Sequence, residues 1–336
     1  MPSSSSRRRS AALGAAAVMF LASLSACGGA TDDAPATSAG PAVTVQDCTG
    51  KTVTVAADPR RVVTLDGYAA QAMARLGLSD RIVGTGFPAP FAVDQGPLKA
   101  ELGRIPVVAP QVPSTELVAA QRPDLVLTAF SAFGGAPGSP KDSDLATLGV
   151  PGIAGCVRSG KLNDLEPTYA FLRKLGTVFR VPQRAEQLVG ELQAREKAVA
   201  AKAPQGAKPR VMVLVDNPVA GQPVPTSGAT TIANALIVKA GGVNVFGDVT
   251  TMHANVSPEQ VVQRDPEVIW VITDYSFAKV KGQALVDQVK TNPLLAATSA
   301  AKNGRILATS QFLVAFPSPL NLDGLEQLSA GLTAGS

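Results

Sequence analysis

Residues 61–84 read RVVTLDGYAAQAMARLGLSDRIVG, and this stretch decides the fold. Residues 61–65 form a short apolar run, which is typical of a strand that is buried on both faces. Residues 69–76 show a helical pattern that stops at a glycine, and residues 81–84 begin a second apolar run. A strand, a helix and a strand in this order predict a βαβ unit with parallel strands.

The same alternation recurs on both sides of the centre of the chain. A helix is predicted to begin at Ser114 and to end before Pro123, and others at 145–148 and 231–240. Between residues 165 and 199 the rhythm breaks, because apolar residues recur at intervals of three and four, which predicts helices. The remaining predicted strands are 107–108, 125–129, 152–154, 210–215, 268–272 and 305–308.

We therefore predict an α/β protein of two Rossmann-like lobes, whose mostly parallel sheets are joined by a long helical linker. The predicted boundaries are 43–160 for the N-terminal lobe, 161–204 for the linker and 205–336 for the C-terminal lobe. Composition agrees with this prediction. A chain of 336 residues with 46% hydrophobic positions is long enough for two cores and too apolar for a disordered protein.

The composition also excludes several kinds of chemistry. The chain has one histidine, His253, so a metal site built from several imidazoles is excluded. It has no G-x-S-x-G motif, no P-loop and no metal-ligand spacing. We expect no catalytic residue, no bound metal of its own and no intrinsic cofactor, so any metal would arrive inside an organic chelator. A secreted enzyme and a surface adhesion module are alternative functions for the chain.

The N-terminus predicts export. Residues 1–26 carry three arginines ahead of an apolar run that is too short to span a bilayer, as in a signal peptide. Small residues then precede Cys27, as in the bacterial lipobox, in which the cysteine is lipidated; an ordinary secretory signal is the alternative. Residues 27–42 contain no large apolar side chain and are predicted to be a flexible tether. The sequence leaves the general and twin-arginine export routes open.

Removal of the signal peptide changes two further expectations. The remaining chain has 27 basic and 26 acidic side chains, and this near-neutral balance argues against nucleic acid as a partner. In an oxidising compartment, Cys48 and Cys156 form an even pair. A disulfide between them would close a loop of about 108 residues and contribute about 4–5 kcal/mol. Two free buried thiols are the alternative.

An internal repeat relates the two predicted lobes. Residues 114–127 read STELVAAQRPDLVL and residues 257–269 read SPEQVVQRDPEVI, with the same interval from serine to proline. In each copy, the serine is predicted to cap a helix whose first turn holds a glutamate, Glu116 or Glu259. Gln260 adds a capping box in the second copy. The repeat predicts equivalent positions in two similar halves.

These features together resemble the substrate-binding lipoproteins of ABC importers for ferric siderophores and vitamin B12. The resemblance implies two α/β lobes bridged by a long helix with little hinge closure, and a monomer held at the outer face of the cell membrane by its lipid alone. It also implies a permease with its ATPase as partners and a small metal chelate as ligand. The matching stretches are 61–84, 114–127, 226–246, 256–272 and 292–306.

The resemblance gives the repeat a role. Glu116 and Glu259 match the positions at which each lobe presents a carboxylate to arginines of the permease. Docking at two points fixes the orientation of the complex even where each exposed ion pair is weak. The alternative is that both are ordinary first-turn helix acids.

The ligand site is predicted from topology, because ligands of open α/β sheets lie beyond the carboxyl ends of the strands. The nominated loops have no excess of basic residues, so a highly anionic chelate is not favoured. His253 stands where corrinoid-binding relatives tend to have a tryptophan, which weakens a B12 assignment, and Trp270 is predicted to be strand core. A ferric siderophore is therefore the first expectation and a corrinoid the alternative.

The nominated ligand-binding residues are Asp66, Tyr68, Phe87, Gln111, Phe130, Phe133, Asn217, Ser227, His253, Tyr275 and Gln311. For Phe130 and Phe133, the alternative is that the ring covers the core of the lobe.

Overall fold

The computed structural model describes residues 41–56, 58–135, 138–157, 160–204 and 206–334. The predicted signal peptide, Cys27 and the tether up to residue 40 lie outside the described residues. Within the described part of the chain, no helix combines the length and the apolar character that a bilayer crossing requires.

The strands are short and mostly buried, as expected for sheets covered by helices. In chain order they are β1 (Val43–Gln46), β2 (Thr52–Val55), β3 (Val62–Thr64), β4 (Ile82–Gly86), β5 (Val107–Ala109), β6 (Leu125–Thr128), β7 (Gly152–Ala154), β8 (Arg210–Leu214), β9 (Val224–Ser227), β10 (Val243–Asn244), β11 (His253–Val256), β12 (Val268–Ile272) and β13 (Ile306–Thr309).

The helices fill the intervals between these strands. In chain order they are α1 (Gly67–Arg75), α2 (Gly96–Leu102), α3 (Thr115–Ala120), α4 (Asp142–Leu148), α5 (Glu166–Val178), α6 (Pro182–Ala200), α7 (Ile232–Lys239), α8 (Pro258–Arg264), α9 (Gly282–Lys290), α10 (Ser299–Lys302), α11 (Gln311–Val314) and α12 (Asn321–Thr333). Short 3₁₀ helices cover Ser79–Arg81 and Ala89–Val93.

Two parallel sheets form the two lobes. The N-terminal lobe has the strand order β5-β4-β3-β6-β7, and the C-terminal lobe has the order β10-β8-β12-β13. All neighbours within these two sheets are parallel. The pairs β1-β2 and β9-β11 are antiparallel. The predicted fold class, two α/β lobes with mostly parallel sheets, is confirmed.

Helices α5 and α6 connect the lobes and share one core with both. That core contains Met73 of the N-terminal lobe, Leu172 and Leu192 of the linker helices, and Trp270 of the C-terminal lobe. Trp270 is 1% exposed, so its assignment to the strand core is confirmed. Because this one core includes residues of both lobes and of the linker, it marks no boundary between them. The boundaries at residues 160 and 204 therefore stay predictions.

The hairpin of β1 and β2 belongs to neither large sheet and packs on α5. A disulfide joins Cys48, in the turn of this hairpin, to Cys156, just after β7. This confirms the pairing predicted from the cysteine count. The disulfide fixes the hairpin at the junction between the N-terminal lobe and the linker.

Candidate functional site

Five aromatic side chains meet where the two lobes face each other. Their ring centroids lie close across the lobes: 5.4 Å separates Tyr68 from Phe316, 6.2 Å separates Phe87 from Phe312, and 4.5 Å separates Phe130 from Phe316. We call these five residues the inter-lobe cluster. Tyr68 is 1% exposed, whereas Phe87, Phe130 and Phe316 are half-buried. The half-buried rings offer an apolar aromatic surface to a ligand.

Topology explains how residues distant in sequence reach one place. Tyr68 follows β3, Phe87 follows β4 and Phe130 follows β6, and these three strands are neighbours in one parallel sheet. Phe312 follows β13 at the corresponding edge of the other sheet. Because parallel strands end at a common edge, both sets of side chains lie at carboxyl ends, where ligands of α/β proteins bind.

The backbone at Phe87 is strained. Its φ of 41° lies in the left-handed region that side chains other than glycine rarely adopt. Two hydrogen bonds hold it there: its N–H donates to the carbonyl of Gln111 at 3.1 Å, and its carbonyl accepts from the N–H of Gly67 at 3.1 Å. Strain of this kind concentrates at ligand sites, where surrounding contacts dictate the conformation.

The carboxylate of Asp66 is buried within the N-terminal lobe and is not exposed to solvent. It is fully buried and caps α1, accepting hydrogen bonds from the N–H of Ala69 at 2.9 Å, the hydroxyl of Thr128 at 2.7 Å and the N–H of Ala129 at 3.0 Å. Burial raises the pKa of this carboxyl, although the hydrogen bonds oppose the rise. Both oxygens of Asp66 are therefore used to join β3, α1 and the end of β6.

Gln311 and Tyr275 lie together on the C-terminal side. The side-chain amide of Gln311 donates to the carbonyl of Asp274 at 2.7 Å and to the hydroxyl of Ser276 at 3.0 Å. The ring centroids of Tyr275 and Phe277 are 5.6 Å apart, and Phe277 is 84% exposed. Burial, followed by the charges of Asp66 and Asp274, raises the pKa of Tyr68 well above its usual value. Tyr275 packs against the core that contains Tyr68 and Phe312, so this loop lies beside the inter-lobe cluster.

Three other nominated residues form hydrogen bonds within the C-terminal lobe. Ser227 and His253 are directly opposite each other in the antiparallel pair β9-β11. The side-chain oxygen of Asn217 accepts from the amide of Asn292 at 2.7 Å. The structure thus brings Ser227 and His253 together on β9 and β11, outside the inter-lobe cluster.

Phe133 and Gln111 differ from the other nominated residues of the N-terminal lobe. The ring of Phe133 packs against the core on the outer face of the sheet, with Val63, Val118 and Leu145. Its position favours the alternative that it covers the lobe core. Gln111 is exposed and contributes its backbone carbonyl to the turn at Phe87.

Glu116 and Glu259 are both exposed in the first turn of equivalent helices. Ser114 caps α3, and Ser257 caps α8 in a capping box with Gln260, as the repeat predicted. The serine hydroxyl beside each glutamate lowers the pKa of that carboxyl. The following strands, β6 and β12, hold matching interior positions in their sheets. The two carboxylates therefore occupy equivalent places on the two lobes and are charged at neutral pH.

Sequence reasoning missed four residues that the structure places at this edge: Asp274, Phe277, Phe312 and Phe316. The signal was present, because residues 311–316 follow a predicted strand directly, but only Gln311 was nominated there. Among the described residues, no group of three or more His, Cys, Asp or Glu side chains could hold a metal ion.

Comparison with known proteins gives one family and a consistent set of relatives. Residues 62–311 match the family described as periplasmic binding protein. The chain is 25% identical over 291 residues to a cobalamin-binding protein of Halobacterium salinarum, covering 85% of this chain and 73% of that protein. It is 23% identical over 293 residues to an uncharacterised ABC transporter substrate-binding lipoprotein of Bacillus subtilis, covering 86% of this chain and 85% of that protein.

A solved structure supports the same comparison. The chain is similar to the crystal structure of an ABC-type Fe³⁺-hydroxamate transport system from Saccharomonospora viridis, with a TM-score of 0.71 and 27% sequence identity. The similarity covers 86% of this chain and 98% of that chain.

Proposed function

The chain belongs to the periplasmic binding protein family, and from this premise we propose that it binds a ferric siderophore between its lobes and delivers it to an ABC permease. Members of this family act outside the cytoplasm and pass a small molecule to a membrane transporter. The observation that carries the proposal is the inter-lobe cluster, because its rings come from both lobes and lie at the ligand-binding edge of both sheets.

Charge favours a hydroxamate complex over a catecholate complex. The described residues nominated for the site include no lysine or arginine, and Asp274, which is hydrogen-bonded to Gln311, adds an acidic group. Three hydroxamates neutralise Fe³⁺, whereas three catecholates leave a strongly anionic complex. An apolar, weakly acidic surface would bind the neutral complex with less loss of solvation. The similarity to the Fe³⁺-hydroxamate system supports this choice.

A corrinoid is the second candidate. The aromatic surface of the inter-lobe cluster suits a flat macrocycle. The name of the cobalamin-binding relative points the same way. His253, which is exposed on β11, does not supply the aromatic wall that a tryptophan would give.

The remaining parts of the proposal concern partners and location. Glu116 and Glu259 would dock on arginines of the permease, which works with its ATPase. Cys27 would carry the lipid that holds a monomeric protein at the outer face of the cell membrane, and the lipoprotein name of one relative supports this. The protein would have no intrinsic cofactor and no catalytic activity, and its Fe³⁺ would be cargo.

Equilibrium dialysis tests the proposal. The protein, without its signal peptide and with Cys27 replaced by serine, is dialysed against a ferric trihydroxamate, a ferric tricatecholate, cyanocobalamin and hemin. We expect saturable binding of the trihydroxamate and its recovery unchanged in mass. Preferential binding of cyanocobalamin would select the corrinoid. Chemical conversion of any of the four compounds, or binding of none, would contradict the proposed function.

A further inference from the structure

One buried segment carries the rings that the C-terminal lobe adds to the inter-lobe cluster. Residues 311–320 read QFLVAFPSPL and connect β13 to α12. We call them the bridging segment. Eight of its ten residues are buried, and its first turn contacts the 3₁₀ helix Ala89–Val93 of the N-terminal lobe. The position of this segment therefore sets how Phe312 and Phe316 meet the other lobe.

The start of the bridging segment is fixed to the C-terminal lobe. The carboxylate of Asp274 accepts hydrogen bonds from the N–H of Gln311 at 2.6 Å and from the hydroxyl of Ser310 at 2.5 Å. The Ser310 hydroxyl in turn accepts from the N–H of Phe312 at 3.1 Å. These bonds fix the backbone N–H groups of Gln311 and Phe312 in place.

The end of the bridging segment is fixed by Asn321, which is 0% exposed. Its side-chain nitrogen donates to the carbonyls of Leu313 at 3.0 Å and Phe316 at 3.1 Å. Its side-chain oxygen accepts from the N–H of Ser318 at 2.9 Å. The backbone of the segment, including the peptide group of Phe316, thus folds around one amide.

The same oxygen of Asn321 accepts a second hydrogen bond, at 2.7 Å, from the hydroxyl of Thr168, which is the fourth bond of this side chain. Thr168 lies on α5 and is also buried. A linker helix is therefore bonded to the amide that shapes the bridging segment. Buried polar networks in which every member is satisfied restrict a segment to one conformation.

We propose that Thr168 and Asn321 are positioning residues for the ligand site. Asn321 orients the backbone that carries Phe316, and Thr168 fixes Asn321 relative to the linker. The inference rests on the proposed function, because it assigns the inter-lobe cluster to ligand binding. It predicts that a residue of the linker, with no ring in the site, sets ligand affinity.

Thr168→Val gives the sharpest test, because it keeps the branched shape and removes only the hydroxyl. Loss of one buried hydrogen bond should weaken binding of the ferric trihydroxamate about fivefold. Thr168→Ser, which restores the hydroxyl, should bind as wild type does. Tyr169→Phe is the matched control, since it removes a hydrogen bond of the same helix, from Tyr169 to Glu196 at 2.5 Å, that does not reach the bridging segment.

A second measurement needs no ligand. Hydrogen exchange of the backbone amides in residues 311–320 should be faster in Thr168→Val than in wild type, and unchanged in Thr168→Ser and Tyr169→Phe. Equal affinity and equal exchange in Thr168→Val and wild type would overturn the inference. So would matching losses in Thr168→Val and Tyr169→Phe, which would indicate a general effect on α5. If wild type binds none of the probes while exchange still separates the variants, the proposed function fails and the positioning of the segment stands.

Discussion

Phe316 joins the two lobes within the candidate site. Its ring contacts Tyr68 and Phe130 of the other lobe, and it is half-buried, so part of the ring is open to a bound molecule. Phe133 has similar exposure but packs on the outer core of its own lobe. The two phenylalanines therefore form a natural pair for separating ligand contact from core packing.

Phe316→Leu should weaken ligand binding while keeping an apolar side chain at the position. An aromatic pair contributes about 0.5–1.5 kcal/mol beyond the area that it buries, so we expect a loss in affinity of about two- to tenfold. Equilibrium dialysis against the ferric trihydroxamate measures it. Phe133→Leu should lower the unfolding temperature and leave affinity as in wild type. Equal losses of affinity in both variants would contradict the assignment of Phe316 to the ligand site.

Gly67 is the residue at which the strained turn and α1 meet most closely. A Cβ atom at this position would lie 3.0 Å from Cδ of Pro90 and 3.1 Å from the carbonyl oxygen of Phe87. Gly67→Ala should therefore lower the free energy of unfolding by about 1–3 kcal/mol through overpacking. Gly190 on α6 is the control, because a Cβ there meets nothing within 4 Å. Gly190→Ala should raise stability by about 0.5–1 kcal/mol in denaturant titration. A stabilising Gly67→Ala would show that the turn at Phe87 is free to move.

At the scale of elements, the sequence predicted what depends on local patterns. Every strand of the two large sheets except β10 has an apolar run that is visible in the chain itself, and the helices that begin at Ser114 and Ser257 have visible caps. Strand β10, which has only two residues, was missed. The pair β9-β11 was missed because its strands, VPTS and HANV, contain no continuous apolar run. Helix α12 was missed although its leucines recur at helical intervals of three and four residues and are buried. Gly324 is buried with them. A Cβ atom at Gly324 would lie 3.0 Å from the carbonyl of Leu313, so packing against the bridging segment explains that glycine.

The candidate site shows the same division. The rule of strand ends nominated Tyr68, Phe87 and Phe130, which the structure brings into one cluster. It could not separate Phe130 from Phe133, because both lie in one loop and only tertiary packing sends one ring to each face. It also stopped at Gln311 and so missed Phe316, whose place depends on the buried amide of Asn321 rather than on distance from a strand.

The hairpin β1-β2 depends on its disulfide, because its two strands add no strand to either large sheet. Replacing both Cys48 and Cys156 with serine should lower the free energy of unfolding by about 2–5 kcal/mol, as the unfolded chain gains freedom. Denaturant titration measures this loss. Wild type under reducing conditions should unfold at the same denaturant concentration as the double variant. A double variant as stable as the oxidised wild type would show that hairpin packing on α5 suffices.

At the scale of the whole molecule, one core runs through both lobes and the linker, and the inter-lobe cluster continues it to the ligand edge. Equivalent carboxylates, Glu116 and Glu259, then lie on two lobes that are held in a fixed relation. Two exposed charges at a fixed separation can select one orientation on a partner even when each ion pair contributes little. This is the physical reason to expect docking to need both lobes at once.

Glu116→Gln with Glu259→Gln should reduce uptake of the bound chelate by cells and leave its affinity for the isolated protein unchanged. The adjacent serine hydroxyls lower the pKa of both carboxyls. The charges that favour docking are therefore fully present at pH values above the usual pKa of glutamate. They are lost only as the pH falls through the lowered pKa values. Uptake in wild type should therefore persist at mildly acidic pH and decline as salt is added. Asp142→Asn, which neutralises an exposed first-turn acid of α4, is the control and should transport normally. Normal uptake by the double glutamine variant would show that the two carboxylates are ordinary helix acids.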